Sequence, residues 1–129
     1  MKPPPLSFFL AVRALVGETK YVQFKSFDPN HDYVGPEGRG WKPPQEIYGV
    51  NVRPAAWPHD SLYEIGGSEN DREQADLIFH SLMLQLIEDH KFSWWQIGWK
   101  VLARYRATTY FEAVRICGGA FFTYRRTRK

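Results

Sequence analysis

Through most of the second half of the chain, apolar residues recur at intervals of three and four, the period of an α-helix with one buried face. The clearest run, Ala75, Ile78, Phe79, Leu82 and Leu86, predicts a helix from Ser68 or Glu69 to His90. Ser68 with Asp71 three residues on is a capping-box-like start, and Glu69, Asp71 and Glu73 suit the positive end of the helix dipole. Before it, Gly66-Gly67 ends a shorter helix. Pro58 argues that this helix starts close to Ala55 or Ala56, since proline is tolerated in a first turn. The short glycine turn predicts that the two helices pack antiparallel. Further on, Ser93 is expected to cap a helix through Trp94, Trp95, Ile97, Trp99, Val101, Leu102 and Tyr105. Trp95 and Trp99, four apart, are read as core and Trp94 as off that face. Thr108 or Thr109 is expected to open another helix, through Tyr110, Phe111, Val114 and Ile116 to Gly118-Gly119.

The first half is less regular. Leu6 to Val16 is apolar apart from Ser7 and Arg13 and reads as a short amphipathic helix packed on the core, too short to span a bilayer. Thr19 to Phe27 alternates in a way that suggests a strand. Residues 28–52 carry eight Pro and Gly residues and form a long loop; Trp41, Ile47, Tyr48 and Val50 anchor it, so an ordered, functional loop is expected. The expected fold is mainly α: two antiparallel helices over residues 54–90, C-terminal helices over 93–119, the long Gly/Pro loop, a basic tail over 120–129, and at most a short strand pair.

A chain of 129 residues with 43% hydrophobic and 24% charged residues fits one soluble domain. Aromatic residues at 16%, with five Trp, are above the ordinary; such a fraction fills a small core or marks a surface that meets a membrane interface or a partner. The net charge of +3 is concentrated at Arg125-Arg126-Thr127-Arg128-Lys129. Cys117 is the single cysteine, so an intramolecular disulfide is excluded. With no convincing cleavage site and no apolar run long enough to cross a membrane, a cytoplasmic or virion-associated setting is expected.

The chemistry gathers on the two central helices. His59 and Tyr63 are i and i+4 and share a face, Asp60 lies about 100° round, and Asp76 on the next helix is able to face either. A carboxylate behind a histidine orients a general base and stabilises the imidazolium that forms. The same three side chains also suit a hydrogen-bond network that fixes helix register without chemistry.

His59-Asp60-x-x-Tyr63 resembles the His-Asp-x-x-Tyr core of phospholipase A2, and Ala75-Asp76-x-x-Phe79 resembles the Ala-Asp that follows it in the parvovirus capsid members of that family, which also lack disulfides. Tyr33-Val34-Gly35-Pro36-Glu37-Gly38 is similar to their calcium loop, with Glu37 one residue more than the viral spacing. Small phage and prophage proteins share the two motifs and a segment like Tyr110-Phe111-Glu112-Ala113-Val114-Arg115. The phospholipase resemblance spans about Tyr33 to Phe79. It implies that His59 is the general base, that Asp76 orients it and that Tyr63 holds Asp76. It further implies Ca²⁺ bound by Asp60 with the carbonyls of Tyr33, Gly35 and Gly38, and a phospholipid or membrane surface as partner.

Other readings are less specific. His31, Asp32, His59, Asp60, Asp76, His80, Asp89 and His90 supply donors for a metal-dependent phosphohydrolase, and Asp76 with His80 has ligand-pair spacing, but the whole matches no metal motif. No helix carries the basic stripe of a nucleic-acid binder. Under the lipase reading, Trp94, the N-terminal apolar stretch and the basic tail form a docking face. His80, His90 and Cys117 are expected at ordinary packing or surface positions.

Overall fold

The computed structural model describes residues 6–24, 46–120 and 122–124. The fold is mainly α. Helix α1 (Leu6–Val16) is followed by the short α2 (Glu18–Tyr21), the strands β1 (Glu46–Ile47) and β2 (Val50–Asn51), then α3 (Arg53–Ile65), α4 (Glu69–Asp89), a 3₁₀ turn (Trp94–Gln96) and α5 (Ile97–Cys117). Helix α4 packs against both α3 and α5, and α1 lies on α4. The core joins Val12 and Phe8 of α1, Ala55, Trp57 and Leu62 of α3, Leu82, Met83 and Ile87 of α4, and Ala103 and Ala107 of α5.

Helix α4 matches its sequence signals closely. Ser68 Oγ accepts from the Asp71 backbone N–H while the Asp71 carboxylate accepts from the Ser68 N–H, a complete capping box.

Elsewhere the structure corrects the sequence reading. Helix α3 begins at Arg53, ahead of Ala55, and holds Pro58 in its interior. Asn51 Oδ1 accepts the first amide N–H, from Arg53, and Pro54 occupies the opening turn. Pro58 then deletes one helical hydrogen bond while its ring is fully buried, and that burial offsets the loss.

The strand expected over Thr19–Phe27 is replaced by α2 and a turn. Gly17, at φ +84°, breaks away from α1, and Tyr21 and Phe24, three apart, both set their rings against Trp57. Residues 25–27 of that stretch lie outside the described residues.

The helix expected to open at Thr108 is instead the continuation of α5. The hydroxyls of Thr108 and Thr109 donate to the carbonyls of Arg104 and Tyr105, so these threonines are satisfied inside one uninterrupted helix. Ser93 caps the 3₁₀ turn that precedes α5, with Gln96 completing the box. Trp95 and Trp99 are 61% and 42% exposed, not core. The inward face of α5 carries Ala103 and Ala107, whose small side chains bring it close to α4 and leave the bulky residues outside.

Of the long loop, residues 46–51 form a β-hairpin pairing Ile47 with Val50. Tyr48 and Gly49 both have positive φ, as a two-residue hairpin of this hand requires. The remainder of the loop, 28–45, lies outside the described residues, as do 125–129 of the expected tail. Residues 122–124 are not tail: Thr123 accepts from the Gly67 N–H and donates to the Tyr63 carbonyl, and Phe122 is buried.

Candidate active site

Helix α3 carries His59 on the turn before Tyr63, and α4 brings Asp76 across to both. Asp76 has no exposed surface, and its Oδ1 lies 2.8 Å from His59 Nε2 and accepts the Tyr63 hydroxyl at 2.5 Å. Its Oδ2 accepts from Arg115 Nη1 at 2.8 Å, and Arg72 Nη1 stands 3.7 Å away. Burial alone pushes the Asp76 carboxyl upward, but hydrogen bonds from His59, Tyr63 and Arg115 outweigh it and hold the group below the usual carboxylate range. An ionised carboxylate only accepts, so His59 Nε2 carries a proton, and in the neutral imidazole Nδ1 is the atom with the lone pair. The imidazole is held between the rings of Tyr63, centroids 4.1 Å apart, and Phe79, 4.7 Å apart. About 15% of the His59 side chain remains open to solvent.

Tyr63 is fixed as firmly. Burial and the hydrogen bond to Asp76 raise its hydroxyl well above the ordinary range, so it stays a donor. Phe122 packs edge-on against its ring, and Gly118 lies so close that a Cβ there would stand 2.5 Å from the Tyr63 hydroxyl.

Behind Asp76 lies a shell of charges that the sequence reading did not include. Arg72 forks onto Glu69 and donates to the Arg115 carbonyl at the end of α5. Arg115 reaches Glu69 as well as Asp76, and the Tyr124 hydroxyl donates to Glu69 at 2.6 Å. Hydrogen bonds from Arg72 first, then Tyr124, lower the Glu69 carboxyl to about 2. Arg115 is the last residue of the Tyr110–Arg115 segment singled out above, which was the available signal for it. Arg72 and Glu69 had only their i, i+3 spacing.

The metal readings fare differently. Asp60 is exposed on α3 beside His59, whereas Tyr33, Gly35 and Gly38 lie outside the described residues, as do His31 and Asp32. Asp76 and His80 do not act as a ligand pair. His80 Nε2 is 3.1 Å from Thr108 Oγ1 and its ring stacks on Phe111, while Asp76 is committed to His59, Tyr63 and Arg115. Among the described residues, no three His, Cys, Asp or Glu side chains gather as a ligand set. His90 touches the Phe92 ring edge and Cys117 is an exposed thiol. Among the described residues no helix is long and apolar enough to cross a membrane.

Compared with protein-family models, curated proteins and solved structures, the chain matches none.

Proposed function

We propose that the chain is a phospholipase A2-like, phage-related ester hydrolase in which His59 activates water. The observation that carries this reading is the 2.8 Å contact between His59 Nε2 and a fully buried, ionised Asp76, which leaves Nδ1 as the basic atom. In the proposed reaction Nδ1 takes a proton from water as the oxygen adds to the ester carbonyl of a phospholipid. Collapse of the tetrahedral intermediate breaks the ester C–O bond, and the imidazolium returns the proton to the departing alkoxide, yielding a fatty acid and a lysophospholipid. Asp76 stabilises the imidazolium, and Tyr63 and Arg115 keep Asp76 in place and ionised. Ca²⁺, held by Asp60 with the carbonyls of Tyr33, Gly35 and Gly38, would supply polarisation of the ester carbonyl.

A second reading is favoured by the same carboxylate's saturation. With three donors within 2.8 Å, Asp76 joins α3, α4 and α5 as a register-fixing network would. On that reading the protein is a non-catalytic phage structural or lysis-associated component.

Calorimetric titration with calcium, run beside fatty-acid release from mixed phospholipid vesicles, separates the two. The hydrolase reading expects calcium binding that Asp60→Ala abolishes and release that both Asp60→Ala and His59→Asn abolish. A folded protein with neither binding nor release at millimolar calcium would leave the structural reading.

A further inference from the structure

Among the described residues, an apolar surface that the site does not use lies on the outer side of the 3₁₀ turn and the first half of α5. Trp94, Trp95, Ile97, Val101, Leu102 and Tyr105 are each between 45% and 83% exposed there. Trp99 sits at its border, edge-on to Trp95. On helical spacing these residues form one broad face opposite Ala103 and Ala107, which are fully buried. Beyond Tyr105 the same side continues as Thr109 and Glu112, which separate the face from the exposed Ile116. The length of the face is about 18 Å for twelve residues.

Its borders are basic. Between Lys91 and Phe111 the chain has Lys91, Lys100, Arg104 and Arg106 and no acidic residue. Lys100 and Arg104 share Glu88 of α4, while Lys91 and Arg106 have no ion-pair partner among the described residues. Helical spacing sets Arg106 along one edge, following Trp95, Trp99 and Leu102, and Lys100 with Arg104 along the other.

We propose that this face of α5 docks the protein onto an anionic phospholipid surface. Tryptophan and tyrosine rings favour the boundary between headgroups and acyl chains, and flanking basic side chains lay their stems along the apolar face while meeting lipid phosphates. Charge complementarity chooses this occupant over a second copy of the chain, since the same face of a second copy offers no acidic residue to Lys91 and Arg106. Docking here does not require His59 to be catalytic, so it goes beyond the proposed hydrolysis.

The test is co-sedimentation of the full chain with phosphatidylglycerol or phosphatidylcholine vesicles, with melting temperature and sedimentation velocity recorded for each variant. His59→Asn is included, so that loss of hydrolysis and loss of docking are read separately. Wild type and His59→Asn are expected to pellet with phosphatidylglycerol vesicles, more weakly at high salt. Trp94→Ser/Trp95→Ser, which alters only exposed rings, is expected to bind about tenfold or more weakly with an unchanged melting temperature. Arg106→Glu is expected to weaken binding to phosphatidylglycerol alone. The proposal is overturned if the wild type stays in the supernatant, if the double variant binds as the wild type does, or if the velocity data show a dimer that the double variant disperses.

Discussion

Asp76 is where the site's chemistry and the fold's stability meet. Its carboxyl titrates below the ordinary value because His59, Tyr63 and Arg115 outweigh the upward push of burial. The unfolded chain therefore binds this proton first. Stability from Asp76 is fully present above the unfolded value of about 3.9 and is lost as pH falls from there through the folded value. Thermal melts between neutral and strongly acid pH should show this as a steep acid limb. Asp76→Asn should be less stable at neutral pH by about 3 kcal/mol and show a shallower limb; an unchanged limb would contradict the assignment. Glu69, held at about 2 chiefly by Arg72, keeps part of the limb in the variant. His80 has a separate signature, since burial lowers its affinity for a proton. The unfolded chain gains a proton near pH 6.5 that the folded one resists, so stability should decline as pH falls below about 6.5. His80→Gln should flatten that decline in melts over the same range. Of these residues, His59, Tyr63 and Asp76 were legible because i, i+4 spacing and a glycine reversal are local rules. Arg115 lies 39 residues from Asp76, and no local period reports a contact of that length.

At the scale of elements, the site is a junction of α3, α4, α5 and the segment 122–124. Gly118 ends α5 directly over Tyr63, with φ −69°, so its small size and not its backbone freedom is what the position uses. A methyl group there would meet a hydroxyl pinned by Asp76 and a ring pinned by Phe122. Gly118→Ala should therefore cost about 1–3 kcal/mol in chemical denaturation. Tyr63→Phe alone should cost about 1 kcal/mol through the lost hydrogen bond. Together they should cost less than their sum, because the phenyl ring removes the atom nearest the new methyl; strict additivity would contradict the contact. The sequence showed α4 nearly in full, since capping box, apolar stripe and glycine boundary agree there. Helix α5 was misread because tryptophans four apart share a face without saying which face is inward. Ala103 and Ala107 decided that, through the close approach to α4 that they permit. Thr108 looked like a boundary because threonine suits caps, yet its hydroxyl is satisfied by Arg104 one turn back.

At the scale of the molecule, a core of apolar helices carries two specialised features: an ionic network that runs from buried Asp76 out to exposed Glu69, and an apolar, base-edged face on α5. Within the network two carboxylates, Asp76 and Glu69, are matched by two guanidiniums, Arg72 and Arg115, so its charges are internally balanced. The mainly α class was legible from periodicity and composition. The position of the C-terminal segment was not, because Thr123 joins Gly67 and Tyr63 through backbone groups that carry no sequence signal. The ester hydrolysis proposed for the His59–Asp76 pair is tested most directly by fatty-acid release from phospholipid vesicles, measured for wild type and His59→Asn at matched folded fractions. Release by the wild type that falls by about 10²-fold or more in His59→Asn, compared at equal folded fraction, is the predicted result. Equal release by both proteins, or none by a folded wild type supplied with calcium, would contradict it.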